Sequence, residues 1–433
     1  MLSTPTPTAT CVNHRKRERL ATCGVCQSAL CVDCIVHTAV GVKCRKCTGG
    51  AAATTPTAHG KAKLSAAAKA GKRRKWAVPV AVFGALLMVV GGLAVLNRGG
   101  GGDSEDATAQ PNDATDHSPV AGNGAFVERV ADFRGAAGVR VGATLTVPGN
   151  LGDKTAPGVL IIPGGGAQDR NGGIQIGTQL PDPLYQDLAE TFAQAGLVSM
   201  RYDRRGSPAL NLVAGTPLRW EDLIGDAQGA LAFLAERRET QGRPITVLGY
   251  DQGGFIALRM AQSEPRVKGA VLISTPGRPI WDVIAFDFER SIPDPAKAQE
   301  VAAGVRAGAA ELARTGQLPD TANMGDELKN VFNADLPYLG PLFAFDPVAE
   351  AAKVELPTLL VRGGLDGSIL PRDIDALAGA LAVDETIVAP AGSNTLALPR
   401  GAEGRFHNPA RHGTTRDGDA TGAIGEWIRS AVK

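Results

Sequence analysis

The chain has 433 residues, enough for two or three folded units, the later of which can bury a large core. Its net charge of +1 hides an asymmetry: through Lys75, 14 Lys and Arg stand against Glu18 and Asp33, a balance of +12, while from Asn97 onward 31 bases face 42 acids, a balance of −11. Such a split excludes a uniformly charged chain and points to two compartments or two kinds of partner.

Residues 1–10 form a Thr/Pro-rich tail that reads as disordered. All seven cysteines fall before residue 48, in the pairs Cys11-x2-His14, Cys23-x2-Cys26, Cys31-x2-Cys34 and Cys44-x2-Cys47. Eight ligands are the number that two tetrahedral zinc ions need, and two-residue spacing lets one tight turn present both donors to one metal. Separations of 8, 4 and 9 residues between the pairs suit interleaved ligation, first pair with third and second with fourth. His37 is left over: it could substitute for Cys34, but reads rather as an unliganded surface histidine. The pattern over residues 11–47 resembles a B-box-type zinc finger, which implies either a small module folded by its zinc or a docking site for a cytoplasmic protein. Arg15, Lys16, Arg17 and Arg19 have no interleaved aromatic residue for base stacking, which argues against a nucleic-acid partner.

Residues 48–75 lack apolar periodicity and read as a basic flexible linker. Residues 76–96 follow, 21 positions without a charge, long enough to cross roughly 30 Å as a helix. A signal peptide would start near residue 1, so the expectation is a single transmembrane helix. Lys69, Lys72, Arg73, Arg74 and Lys75 precede it, and Asp103, Glu105 and Asp106 follow. Positive-inside bias then puts the N-terminus in the cytoplasm and the C-terminal region outside the cell membrane. The placement of the thiols on the reducing side agrees and opposes a disulfide framework. Residues 97–124 read as a flexible acidic spacer.

From residue 125 short apolar runs alternate with helical patterns. Strands are expected at 139–147, 158–162, 197–202, 245–250, 270–274, 357–362 and 385–389, with helices near 185–195, 221–237, 253–263, 373–382 and 425–432. Alternating strand and helix predicts an α/β class with a mostly parallel, doubly wound sheet. Residues 279–345 break the rhythm and read as a helical cap inserted over the sheet edge.

The run ITVLGYDQGGF over residues 245–255 reads as strand, sharp turn and helix, the setting of a G-x-S-x-G nucleophile elbow. Asp251 stands at its centre between Gly249 and Gly253. PGGGAQDRNG (163–172) has the form of an oxyanion loop after a core strand, RYDRRG (201–206) that of an R-Y-D-x-R-G segment, and Gly363-Gly-Leu-Asp366 that of a triad acid. With Gly277-Arg-Pro279 after the next core strand, these motifs make residues 126–432 resemble the α/β-hydrolase superfamily, in particular its bacterial serine esterase and acyl-hydrolase members. That resemblance implies Ser where Asp251 stands and His where Gly392-Ser-Asn-Thr395 carries Thr395. It also implies ligand contacts at Gly164, Gly165, Gly166 and Gln252.

Three readings of the altered triad stay open. Asp251 could be a carboxylate nucleophile, as in the dehalogenase and epoxide-hydrolase branches, with water activated by His407 or His412. The site could instead have lost its chemistry and bind a small-molecule or ester-like ligand, since Asp366 is idle without a histidine to orient. In the third, Ser207, Ser274 or Ser393 takes over. A non-enzymatic role, a transmembrane adaptor docking proteins at both ends, stands beside them. No P-loop, dinucleotide motif or metal-ligand spacing occurs after residue 125, so zinc in the N-terminal module is the one expected cofactor.

Overall fold

The computed structural model describes residues 124–173, 183–207, 210, 216–381 and 418–432, with strand segments at 21–22, 29–30, 35–38, 41–44, 116–121, 383–389, 397–398 and 415–416. The segment 76–96, Ser393, Thr395, His407, His412 and the expected zinc ligands other than Cys44 lie outside these residues. Among the described residues no helix is long and apolar enough to cross a membrane. The chain divides into two compact units, Met1–Ala77 and Val78–Lys433.

In the first unit, β1 (Ala21–Thr22) pairs antiparallel with β2 (Ala29–Leu30), and β3 (Ile35–Thr38) with β4 (Gly41–Cys44). The second hairpin sets Ile35 opposite Cys44, and His37, on β3, opposite Val42.

The second unit is built on a nine-stranded sheet. Its strands are β5 (Asp116–Ala121), β6 (Phe126–Arg134), β7 (Arg140–Pro148), β8 (Gly158–Ile162), β9 (Val198–Tyr202), β10 (Ile245–Tyr250), β11 (Val267–Ile273), β12 (Thr358–Gly363) and β13 (Val383–Ala389). They lie in the order β13-β12-β11-β10-β8-β9-β7-β6-β5. The six strands from β8 to β13 pair in parallel, while β7 runs antiparallel to β9, β6 to β7 and β5 to β6. Strands buried on both faces read as unbroken apolar runs, which is why β8 (GVLII) and β10 (ITVLGY) are legible in sequence to the residue.

Alternation of side chains splits the core into two layers. Leu160, Ile162, Met200, Val247 and Leu272 face one side, against helices α2 (Trp220–Ala235) and α3 (Gly253–Ser263) and the inserted helices. Val159, Ile161, Leu248, Val271 and Ile273 face the other, against α1 (Leu184–Gln194) and the C-terminal helix Gly418–Ala431. Between β11 and β12 the chain forms α4 (Ile280–Ser291), α5 (Pro295–Thr315), α6 (Asp326–Phe332), α7 (Leu336–Ala344) and α8 (Pro347–Ala351). Pro295 and Gly316 bracket α5: Asp294 caps its start, and Gly316 turns left-handed at its end (φ 69°).

Candidate active site

β10 ends at Tyr250 and α3 begins at Gly253, so two residues make the reversal. Asp251 sits at φ 50°, in the left-handed region that costs a residue with a Cβ about 1–2 kcal/mol. Glycines on each side make room for the turn. A Cβ on Gly249 would lie 2.4 Å from the Gly253 carbonyl oxygen; one on Gly253 would lie 2.4 Å from that of Ile162; one on Gly254 would lie 2.0 Å from Thr275 Oγ1. Hydrogen bonds from Asp251 N to the Ile273 carbonyl (2.9 Å) and from Gly254 N to the Asp251 carbonyl (3.0 Å) pin the strained residue. The backbone is therefore a nucleophile elbow with a carboxylate at its apex.

Around that carboxylate the loop after β8 supplies a donor. Gly165 N donates to Asp251 Oδ2 at 3.2 Å, and the Gln252 backbone N–H also reaches the carboxylate. Gly164 N donates instead to the Tyr185 hydroxyl (2.8 Å) and to Gln168 Oε1 (3.1 Å), and the Tyr185 hydroxyl itself donates to Gln168. Gly164 thus braces the loop, and Gly165 is the amide turned to the elbow. Gly166, at φ 83°, continues the loop in a conformation that suits glycine. Burial raises the Asp251 pKa above the ordinary carboxylate range; the two amides and the Arg204 charge oppose the rise, and the Asp366 charge adds to it.

Asp366 follows β12 and is buried. Its Oδ1 accepts from Ser368 N and Ile369 N, both at 3.0 Å. Oδ2 has no partner of regular hydrogen-bond geometry among the described residues, although the Ser274 hydroxyl is close enough to favour the charged form. Burial again dominates and raises the pKa. Ser274, at φ 45°, is a second strained residue, at the end of β11. The elbow and acid positions are thus within electrostatic reach of each other. Ser207 is buried in the turn after β9.

The neighbours of Asp251 on the elbow and the R-Y-D-x-R-G segment complete the site. Tyr250 is buried, and burial pushes its pKa far up, with the Asp251 charge adding to the effect. Gln252 is fully buried and its side chain turns away from the carboxylate: its Oε1 accepts from Arg204 Nη2 and from the Tyr338 hydroxyl on α7 (3.0 Å). R-Y-D-x-R-G reads as a cluster of structural ion pairs, and three of its members behave so: Arg201 pairs with Glu128 (2.9 Å), and Asp203 and Arg205 are paired as well. Arg170 is paired with Asp203 and Arg205 with Asp226, the latter through bonds of 2.8 and 2.6 Å. Arg204 goes to the site instead. No group of three or more His, Cys, Asp or Glu able to hold a metal exists among the described residues.

Strand order, elbow and inserted helices define an α/β-hydrolase fold, and the sequence comparison agrees. Residues 183–312 match the model of the serine aminopeptidase S33 family, a stretch running from α1 through the elbow into α5. Over 238 residues the chain is 25% identical to the esterase EstD of Thermotoga maritima, an alignment covering 53% of this chain and 50% of the esterase. The chain therefore spans about half the length of that curated relative. Similar solved structures include the hypothetical protein PA2218 from Pseudomonas aeruginosa (18% identity, 62% of this chain and 87% of that one, TM-score 0.42). Another is acetyl xylan esterase 1 from Thermoanaerobacterium sp. (15% identity, 66% and 83%, TM-score 0.41). The C-terminal region is an esterase-like α/β-hydrolase domain.

Proposed function

We propose that this domain has lost serine-esterase chemistry and uses the former active site to bind a cell-envelope ligand. The observation that carries the reading is the Gly165 N–H to Asp251 Oδ2 contact. In a serine hydrolase the oxyanion donors wait for the substrate; here a carboxylate of the protein itself takes one. Loss of the nucleophile from a serine triad costs on the order of 10⁶ in rate. The full chain should hydrolyse nitrophenyl esters no faster than buffer. Hydrolysis that Asp251→Ala abolishes would overturn the reading.

A second reading has its own support in the same contact. With Oδ2 held by the Gly165 amide, Oδ1 of Asp251 would attack an alkyl halide or epoxide carbon, the leaving group departing with its bonding pair. Water, deprotonated by His407 or His412, would then cleave the ester. Mass spectrometry of the chain incubated with such substrates should then show alkylation at Asp251; an unmodified Asp251 across a broad panel removes this reading.

The same proposal extends to the rest of the chain. Residues 76–96 anchor it in the cell membrane as a single span, with the hydrolase-like domain outside and the N-terminal unit in the cytoplasm, where it can dock a protein. Seven thiols and one imidazole in four two-residue-spaced pairs are a donor set that fits two zinc ions, held by Cys11, His14, Cys23, Cys26, Cys31, Cys34, Cys44 and Cys47.

A further inference from the structure

Four arginines lie close together around the turn after β9, and one is unlike the rest. Arg201 donates to Glu128 (2.9 Å) and Thr146 (2.8 Å), Arg205 is held by Asp226, and Arg170 by Asp203. Arg204 is only 2% exposed, yet among the described residues no carboxylate forms an ion pair with it. Its Nη2 reaches Gln252 Oε1 and lies 3.4 Å from the Tyr338 hydroxyl. Among the described residues its Nη1 has no acceptor, and neither has Nε2 of the fully buried Gln252. Nη1 and Nε2 are each two bonds from the Nη2–Oε1 contact, so the two unmet donors belong to one hydrogen-bonded pair of side chains. The crevice that Arg204 lines also holds Asp226, whose carboxylate is taken by Arg205.

A buried cation without a counter-ion is among the costliest arrangements a fold can keep, and unmet buried donors add to the cost. Asp251 is close enough for its charge to feel that of Arg204, but its carboxylate is turned to Gly165 and burial works against its ionisation. Resting on the reading of the pocket as a binding site, we propose that Arg204 and Gln252 form an anion subsite behind the elbow, and that the pocket's ligand carries a carboxylate. A carboxylate brings two acceptor oxygens for two donors and one charge for one guanidinium; a dianion would leave a charge uncompensated. Tyr338 borders the subsite from α7, with its hydroxyl on Gln252 Oε1.

The test uses the full chain in detergent and follows its melting temperature with a series of straight-chain carboxylates from acetate to octanoate, each beside its neutral amide. Affinity should favour the carboxylate by about tenfold or more, the usual range for a charge-assisted bond over a neutral one. Arg204→Gln should abolish that preference, and Gln252→Leu should weaken it. Equal responses to acid and amide, or none to the whole series, in the unsubstituted chain overturn the subsite even if the variants fail to fold. Ester hydrolysis measured on the same sample separates the two readings. Asp251-dependent turnover with carboxylate preference intact removes the binding-protein reading alone; no turnover and no preference removes the subsite alone.

Discussion

Replacing Gly249 by alanine should dismantle the elbow without touching its polar groups. The added Cβ would meet three backbone atoms, Gly253 O at 2.4 Å, Gly253 C at 2.5 Å and Gly254 Cα at 2.6 Å. Ordinary contact begins near 3.4 Å, so the start of α3 must retreat by about 1 Å. No flexible side chain can absorb that shift, which places the cost at the upper end of overpacking, about 2–3 kcal/mol, or a melting temperature lower by about 4–10 °C. Displacement on that scale also parts Asp251 Oδ2 from Gly165 N, now 3.2 Å apart. Gly242 is the control: at φ 71° with nothing within 4 Å of a Cβ, its alanine variant carries only the left-handed penalty of about 1 kcal/mol. Calorimetry reads stability, and carbodiimide labelling followed by mass spectrometry reads the exposure of the Asp251 carboxyl. The reasoning fails if Gly249→Ala melts within about 1 °C of Gly242→Ala, or if the labelling of Asp251 is unchanged.

Removing one partner of the Arg205–Asp226 pair, where side chains are 3% and 2% exposed, strands a buried charge. Asp226→Ala should cost about 3–5 kcal/mol in urea unfolding, while the double change Arg205→Met with Asp226→Leu should recover most of it; equal losses in both variants would contradict this. The raised pKa of Asp251 means that the folded chain holds its proton to a higher pH than the unfolded one. The stability it contributes is complete below the unfolded value and lost as pH rises through the folded value. Asp251→Asn should therefore raise the denaturation midpoint at neutral pH, with the gain fading in acid; a gain constant from about pH 3 to pH 8 would refute the assignment. Elemental analysis of the full chain should find two zinc ions, reduced in Cys23→Ala, and a metal-free chain that keeps its N-terminal fold would exclude the zinc module.

How much of this was legible in the sequence depends on which interactions are local. β8 and β10 are buried on both faces and declare themselves by unbroken apolar runs. β6 (FVERVADFR) does not, because it lies beside the edge strand β5 and carries charges that read as surface. Two of those charges are spent internally, Glu128 on Arg201 and Arg129 on Glu239, pairings 73 and 110 residues apart that no local pattern contains. The elbow was legible because the constraint is steric and close: glycines at 249, 253 and 254 are what the turn leaves room for, whichever side chain stands at 251. Tyr338, 86 residues from the Gln252 it contacts, could be found only in three dimensions.

Arg204 marks where sequence reasoning reaches its limit and where the site becomes specific. In R-Y-D-R-R-G the two neighbouring arginines are equivalent by composition, and pairing either with a carboxylate is an equally good guess. The fold breaks the equivalence because Asp226, on α2, pairs with Arg205 and, among the described residues, forms no ion pair with Arg204. Arg204 is thereby turned under the elbow with its charge uncompensated, beside an Asp251 whose ionisation burial opposes. A serine at the apex would present a neutral hydroxyl to this guanidinium. A carboxyl that can give up its proton, beside a cation that no carboxylate pairs with among the described residues, makes the electrostatic state of the pocket depend on what enters it. The acid at 251 and the arginine at 204 are best understood together, as the two halves of one charge balance that a bound anion completes.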